Sequence, residues 1–246
     1  MNCTRRPQTG FTLVELLVSI SVLVILLSLL APSLGAARES GRSAVCLSNL
    51  HQAALGMGQY LSQNRQRFWP YMLPNTPRPG VKCYFWGTDS DPVDPSASPF
   101  LRHLESKLDC LWCPSLAWGS YVPQGAHVSQ PTTTYGYNGR YLDPGLVGRN
   151  GRNACSIPRP SLLFVLGDAG MAWAPAGVMI FQNSTYLEPV CGSWVQTPTN
   201  HFRHNGLTNA LCADGRVERF TSEGWIVDSV HNLGFVGTKN DPHYEQ

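Results

Sequence analysis

One apolar stretch near the N-terminus constrains this chain more than any other feature. Residues 11–31 include a single charged residue, Glu15, and neither proline nor glycine. At about 1.5 Å of rise per residue, a helix of these 21 residues spans a hydrocarbon core of roughly 30 Å. The stretch therefore predicts one membrane-spanning helix, on which the placement of the rest of the chain depends.

The ten residues before this stretch predict its orientation. The segment MNCTRRPQTG contains Arg5 and Arg6 and no acidic residue. Basic residues beside a membrane helix stay in the cytoplasm, so we expect the N-terminus on the cytoplasmic side and the C-terminal part on the other side of the membrane.

Glu15 does not suit an ordinary export signal or anchor. A carboxylate deep in lipid costs about 2.5 to 3.5 kcal/mol, and intramembrane acids usually have a partner or a function. A signal peptide has an apolar region of about 7 to 15 residues and is cut after small residues, such as those at 34–37. The apolar stretch is too long for that class, and a plain anchor has no need of an acid.

The residues around the start of the stretch resemble the type IV prepilin signature: a short basic leader ending in Gly10, then Phe11 and the run T-L-V-E that ends at Glu15. The resemblance implies that a prepilin peptidase cuts after Gly10 and methylates Phe11. It also implies that Glu15 neutralises the terminal amine of a neighbouring subunit in a filament, where an opposite charge makes a buried acid tolerable.

The resemblance implies a structural subunit rather than an enzyme. The expected function is that of a pilin or pseudopilin in a type II secretion or type IV pilus-like system. Its expected partners are the prepilin peptidase, other pilin or pseudopilin subunits and an inner-membrane assembly platform. The alternative is a membrane-anchored exported binding domain that does not enter filaments.

The charge balance argues against nucleic acid as a partner. The leader removes two of the 18 basic residues and none of the 16 acidic ones, which leaves 16 of each. A near-neutral chain lacks the basic surface that phosphate binding needs. With 14% charged residues, 19 prolines and 23 glycines, the composition indicates a loop-rich exported domain.

The helix is expected to continue beyond the membrane. Pro32 should bend it rather than end it. An apolar stripe with helical spacing then predicts the side that faces the core of the exported domain; it consists of Leu47, Leu50, Ala54, Met57 and Leu61. We expect the helix to end at the glycines 56 and 58 or near Asn64. The predicted domains are a leader (1–10), an assembly helix (11–31), its continuation (32–64) and a globular part (65–246).

The globular part is expected to be α+β with an antiparallel sheet, which agrees with the pilin fold that the signature implies. One short helix is predicted at 99–108, with Ser98 as its cap. The strand-like runs are 132–142, 161–166, 177–182 and 209–220.

Asp214 and Gly215 predict a hairpin within the last run. A two-residue type I′ turn requires positive φ at both positions, which glycine accepts and aspartate tolerates. The predicted register pairs Ala213 with Arg216, Cys212 with Val217 and Leu211 with Glu218. This register places Ala210, Cys212 and Val217 on one face and Leu211, Ala213 and Phe220 on the other, with both faces partly covered.

Seven cysteines remain after the leader, and two of them have the spacing C-x-x-C. For Cys110 and Cys113 a structural disulfide or buried thiols is the favoured interpretation, because no second C-x-x-C or H-x-x-x-H follows to complete a zinc site and no βαβ pattern indicates redox catalysis. Asp168, after an apolar run, is interpreted as a helix cap rather than a ligand.

The segment HNGLTNALCADG, from His204 to Gly215, resembles the C-terminal His-x9-Asp-Gly motif of a prepilin-like group common in planctomycetes and related bacteria. We expect His204 to make a local hydrogen bond that fixes the hairpin containing Asp214, rather than to bind a metal or act in catalysis. No metal site, no cofactor and no catalytic residue is predicted.

Overall fold

The computed structural model describes residues 12–74, 79–90, 92–104, 107–116, 133–145, 151–173, 180–188, 198–237 and 242–245. The predicted processing residues Gly10 and Phe11 lie outside the described residues, as does Cys191. The chain divides into two compact units, Met1–Glu39 and Ser40–Gln246.

The first element is the helix α1, Leu13–Gln63, with Pro32 inside it. The prediction that the helix continues beyond this proline is therefore confirmed. Of the two predicted ends, the structure has the later one, next to Asn64, and both glycines lie within the helix. The helix contains a segment that is long and apolar enough to cross a membrane.

The buried side of α1 is rotated from the predicted stripe. Leu50, Met57 and Leu61 are buried as predicted, but Leu47 and Ala54 are only half-buried. The positions one residue earlier, Cys46, Ala53 and Tyr60, are buried instead. The prediction placed the stripe incorrectly because it considered only strongly hydrophobic residues, whereas a cysteine and a tyrosine also pack in the core.

Gly56 lies on this buried side, at a position where there is little space for a side chain. A Cβ atom at Gly56 would clash with the side chain of Leu104, whereas one at Gly58 would meet nothing within 4 Å. The first glycine therefore allows a close approach to the helix, and the second lies on the exposed side.

The globular part is built from antiparallel sheets, so the α+β, pilin-like prediction is confirmed. The strands are β1 (Cys83–Tyr84), β2 (Gly87–Thr88), β3 (Tyr135–Tyr137), β4 (Phe164–Asp168), β5 (Gly170–Trp173), β6 (Ile180–Asn183), β7 (Asn200–His201), β8 (Leu207–Cys212), β9 (Val217–Thr221), β10 (Ile226–Asp228) and β11 (Leu233–Gly234). The largest sheet, which we call the central sheet, has the order β3-β4-β8-β9, a second has the order β10-β11-β7, and β1-β2 and β5-β6 are hairpins.

Aromatic residues fill the larger core, which includes the buried side of α1. The ring of Trp69 stacks on Phe100 and Tyr137, with centroids 4.1 and 5.0 Å away. A smaller cluster surrounds Phe164 and Tyr244. In β8, Ala210 and Cys212 belong to the smaller cluster and Leu211 to the larger one, so the central sheet is covered on both faces.

Two predicted elements of the globular part differ in the structure. In place of one helix at 99–108 there are 3₁₀ turns at Leu101–His103 and Lys107–Leu111. The Ser98 hydroxyl nevertheless accepts hydrogen bonds from the amides of Phe100 (3.2 Å) and Leu101 (3.0 Å), as a cap does. Of the run at 132–142, the described residues 133–142 form a strand only over β3, and a one-turn helix α2, Gly139–Leu142, follows it.

The Asp-Gly hairpin forms between β8 and β9, but its predicted register is wrong by one residue. Leu211 pairs with Val217, and the loop has three residues, 213–215. Gly215 has φ +91°, and its amide donates to the carbonyl of Cys212 at 3.0 Å. This is a turn followed by a left-handed glycine rather than a type I′ turn, and Asp214 does not have positive φ.

The side chain of Asp214 explains this loop. Its Oδ1 accepts the amide hydrogen of Arg216 at 3.0 Å, a local bond that aspartate makes to the backbone two residues on. The change in register moves Val217 into the cluster that contains Leu211, and Phe220 into the other cluster. The expectation that both hairpin faces are partly covered is confirmed.

Candidate functional site

The first turn of α1 joins Glu15 and Thr12 through three reciprocal hydrogen bonds. The carboxylate Oε2 accepts from the amide of Thr12 at 2.8 Å and from its hydroxyl at 2.7 Å, while the Thr12 hydroxyl oxygen accepts the amide of Glu15 at 3.2 Å. This is a capping box, which satisfies amides that a helix start leaves without partners. This role was not predicted from the sequence, although T-x-x-E is its signature.

The part of α1 from Leu13 to Leu34 exposes apolar side chains on every side. Examples are Leu16, Val24 and Leu27, each more than half exposed. Its serines donate to carbonyls of their own helix, as in the bonds from Ser19 and Ser21, both 2.7 Å. A helix that is apolar all round and satisfies its own polar groups suits lipid or other helices as surroundings.

A second site lies within the unit Ser40–Gln246. It consists of Cys46, Cys113, Asp168 and His204, whose potential ligand atoms all lie within 4.8 Å of one another and which are all buried. Their elements are, in the same order, α1, the segment after the turn Lys107–Leu111, the end of β4 and the loop between β7 and β8. We call these four residues the Cys-His-Asp cluster.

One ring nitrogen of His204 is at the centre of the cluster. Its Nε2 lies 3.4 Å from Sγ of Cys113 and 3.3 Å from Oδ2 of Asp168. The other nitrogen, Nδ1, lies 3.5 Å from the hydroxyl oxygen of Ser115. A sulfur and a carboxylate oxygen therefore both approach the same ring nitrogen.

Neighbouring strands hold the acid of the cluster in place. Oδ2 of Asp168 accepts the amide hydrogen of Asn209, in β8, at 2.7 Å. The guanidinium of Arg203 is also buried, with Nε 3.6 Å from Oδ1 of Asp168. Arg203 donates in addition to the carbonyls of Thr134 (3.1 Å) and Ala169 (2.6 Å), which fixes its position.

Burial is the largest single influence on the pKa of His204 and of Cys113, but the hydrogen bonds and charges within the cluster together outweigh it. Burial lowers the pKa of His204, but its bonds to Asp168 and Cys113 outweigh burial and raise that pKa to about 10. Burial raises the pKa of Cys113, but hydrogen bonds with Cys46 and His204 lower it to about 5. The bond to Cys113 and burial together raise the pKa of the Cys46 thiol. These directions give a thiolate beside an imidazolium, with a second thiol next to them.

The structure separates His204 from the residues with which the sequence motif groups it. The backbone of His204 exchanges hydrogen bonds with Leu207 at 3.1 Å in both directions, at the start of the hairpin. Its imidazole instead enters the Cys-His-Asp cluster. Asp214 lies in the exposed hairpin loop and forms an ion pair with Arg216 at 3.0 Å. Gly215, in the same loop, provides the left-handed turn.

Two further predictions bear on the cluster. The prediction for Asp168 is wrong, because this residue ends β4, strand β5 follows it, and it does not cap a helix. Cys110 and Cys113 are both buried and are not joined by a disulfide in the structure, which is the second of the two forms, a bridge or buried thiols, that the sequence left open. Cys113 contacts His204 instead, and Cys46, which no sequence motif marked, joins the same group.

Comparison with known proteins identifies one segment of the chain. The family model for the prokaryotic N-terminal methylation motif matches residues 5–31, which include Gly10, Phe11 and Glu15. No curated protein and no solved structure matches the chain. The chain therefore carries a prepilin-type N-terminal methylation motif on a membrane-length apolar helix, followed by an α+β, pilin-like domain.

Proposed function

We propose that this chain is a pilin or pseudopilin subunit that is cleaved after Gly10, methylated on Phe11 and polymerises through the N-terminal part of α1. The observation that carries the proposal is a coincidence of two features. The methylation motif at residues 5–31 covers the segment of helix that is apolar on every side. A subunit that is first held in a bilayer and then packed among like helices needs such a surface.

Glu15 is the residue that distinguishes assembly from simple anchoring. Both hydrogen bonds from Thr12 go to Oε2, so Oε1 is the oxygen that we propose to face the methylated amine of a neighbouring subunit. An ion pair inside an apolar bundle is tolerable because each charge compensates the other. In a plain anchor, no opposite charge would offset the free-energy cost of the buried carboxylate.

The proposed setting follows from the motif and the charge pattern. Arg5 and Arg6 keep the N-terminus in the cytoplasm, so the globular domain lies in the periplasm or outside the cell. The partners are a prepilin peptidase, other pilin or pseudopilin subunits and the inner-membrane assembly platform of a type II secretion or type IV pilus-like system. The segment from His204 to Gly215 supports placement in the prepilin-like group with the His-x9-Asp-Gly motif.

Coexpression with a prepilin peptidase tests the proposal. We expect intact mass and N-terminal sequencing to show a chain shortened by ten residues that begins with N-methyl-Phe11. Gly10→Val should block the cut, because the peptidase needs a minimal side chain before the scissile bond. Gly35→Val is the matched control and should be processed normally, since Gly35 is surrounded by open space. A mature N-terminus within or after residues 34–37 would contradict the proposal.

The processed chain must also enter an assembly. Crosslinking in membranes that contain the assembly platform should give oligomers joined through α1. A processed chain that remains monomeric under these conditions would instead be an anchored binding domain, the alternative function.

A further inference from the structure

We propose that Cys46, Cys113, Asp168 and His204 together bind one Zn²⁺ ion as a closed structural site. The four side chains supply two sulfurs, one imidazole nitrogen and one carboxylate oxygen, all buried. Zinc in structural sites takes four such ligands in a tetrahedron, and thiolates with imidazole favour zinc over calcium or magnesium. The site is independent of the proposed role of the N-terminal motif.

The spacing of the ligand atoms agrees with a tetrahedron around one ion. Zinc bonds of about 2.3 Å to sulfur and about 2.0 to 2.2 Å to nitrogen or oxygen place neighbouring ligands about 3.3 to 3.8 Å apart. Nε2 of His204 lies 3.4 Å from Sγ of Cys113 and 3.3 Å from Oδ2 of Asp168. No pair of ligand atoms exceeds 4.8 Å, so small side-chain movements complete the geometry.

The same distances argue against a catalytic Cys-His-Asp triad. In a triad one ring nitrogen faces the nucleophile and the other faces the acid. Here Nε2 faces both Cys113 and Asp168, while Nδ1 faces Ser115. Cys113 and Asp168 are also fully buried, so no substrate reaches them. Convergence on one nitrogen and closure from solvent are properties of a structural metal site.

A disulfide between Cys46 and Cys113 is the other chemistry that two close thiols allow in an oxidising compartment. It would account for the two sulfurs but not for the approach of His204 and Asp168 to the same point. A shared ion accounts for all four groups at once.

Residues around the cluster orient its ligands and balance its charge, as the surroundings of metal sites do. The backbone amide of Asn209 binds Oδ2 of Asp168 and so orients the carboxylate. Two thiolates and one carboxylate around Zn²⁺ leave one net negative charge. The guanidinium of Arg203, only 2% exposed and 3.6 Å from Asp168, supplies the compensating positive charge.

Such an ion would join the part of α1 from residue 40 onward to the central sheet. Cys46 lies on α1, Asp168 ends β4, and His204 precedes β8. The imidazole of the His-x9-Asp-Gly motif would then serve the metal site, while Asp214 and Gly215 serve the hairpin turn.

Metal analysis of the full chain in detergent tests the inference. Chains purified without chelators and dialysed against trace zinc should contain about one zinc per chain. Cys113→Ser and His204→Gln should each lose it. The matched controls are Cys110→Ser and His201→Gln, which alter buried residues of the same types outside the cluster, and both should keep the ion. Removal of zinc from the wild-type chain should lower the melting temperature by roughly 5 to 10 °C.

Cobalt exchange in the wild-type chain tests the site without any substitution. Bound Co²⁺ should give thiolate-to-metal charge-transfer absorption and the intense visible bands of a tetrahedral site. Absence of zinc in the wild-type chain, zinc that persists in both Cys113→Ser and His204→Gln, or an octahedral cobalt spectrum would overturn the inference. So would a Cys46–Cys113 disulfide in the exported protein, detected by intact mass before and after reduction.

Discussion

The two halves of α1, residues 13–39 and residues 40–63, have the same secondary structure and opposite surroundings. Leu27, in the first half, is 63% exposed, whereas Leu50, in the second, is fully buried against the globular domain. The first half is apolar on every side, and the second has one buried side. A helix half that is apolar all round requires contacts from outside its own chain, while an amphipathic half finds them within the fold. Substitutions in the two halves should therefore change different measurements.

The largest expected effect is on assembly, at Glu15. Glu15→Ala should still be inserted and cleaved but should assemble poorly, because an unpaired amine in an apolar bundle costs about 3 to 5 kcal/mol. Glu15→Gln should show the same loss, although glutamine can still form the capping box. Thr12→Ala keeps the charge and removes the box, so it should weaken assembly only by about 0.5 to 2 kcal/mol. Crosslinked oligomers in membranes measure all three variants.

These three variants separate the two roles of Glu15. Wild-type assembly in Glu15→Gln would mean that the carboxylate acts only as a cap. In every case the melting temperature of the globular domain should be unchanged. A change there would contradict the division between the two halves.

Leucine-to-alanine substitutions test that division directly. Leu50→Ala should lower the free energy of unfolding by about 2 to 5 kcal/mol, because it leaves a cavity in the core. Leu27→Ala is the matched control and should change it by less than about 0.5 kcal/mol. Denaturant unfolding of the full chain in detergent, followed by tryptophan fluorescence, gives both values. Equal effects would show that the two halves do not differ as described.

The two glycines near the end of α1 sharpen the comparison within the second half. Gly56→Ala should destabilise the fold by about 1 to 3 kcal/mol, because its methyl group would press on Leu104. Gly58→Ala should stabilise it by about 0.5 to 1 kcal/mol, since the position is exposed and alanine favours the helix. The same unfolding measurement decides both. Similar shifts in one direction would mean that α1 does not pack closely at Gly56.

Local sequence signals predicted those features that depend on neighbouring residues. The apolar helix, its continuation past Pro32 and the cap at Ser98 follow from short stretches of sequence. The rotation of the buried side of α1 does not, because Cys46 and Tyr60 are selected by their partners in the core. Distant packing also decides the order of the strands in the sheet.

The Cys-His-Asp cluster shows most clearly where sequence reasoning ends. Cys113, Asp168 and His204 each stood out locally, as part of a C-x-x-C pair, as an acid after a strand and as a motif histidine. No spacing joined them, since Cys113 and His204 are 91 residues apart. The pairing of β4 with β8 brings Asp168 near the loop of His204, and the packing of α1 adds Cys46. A hydrogen bond from the amide of Cys113 to Thr134 holds the segment of Cys113. An absent second C-x-x-C therefore does not exclude a zinc site whose ligands come from separate elements.

The last expected effects are at the Asp214–Gly215 loop, which also provides a control far from α1 in sequence. Asp214 has negative φ, and its carboxylate accepts a hydrogen bond from the amide of Arg216. Asp214→Gly should therefore destabilise the domain by about 1 kcal/mol, because this bond is lost and because glycine gives the unfolded chain more conformational freedom. Gly215→Ala should cost about 1 to 2 kcal/mol, because alanine resists the left-handed conformation. A type I′ turn would give the opposite sign for Asp214→Gly, since glycine would then relieve strain at a positive φ. Unfolding measurements on both variants decide between the two turns. Neither variant should alter cleavage or assembly, because the loop belongs to the globular domain and not to the N-terminal part of α1.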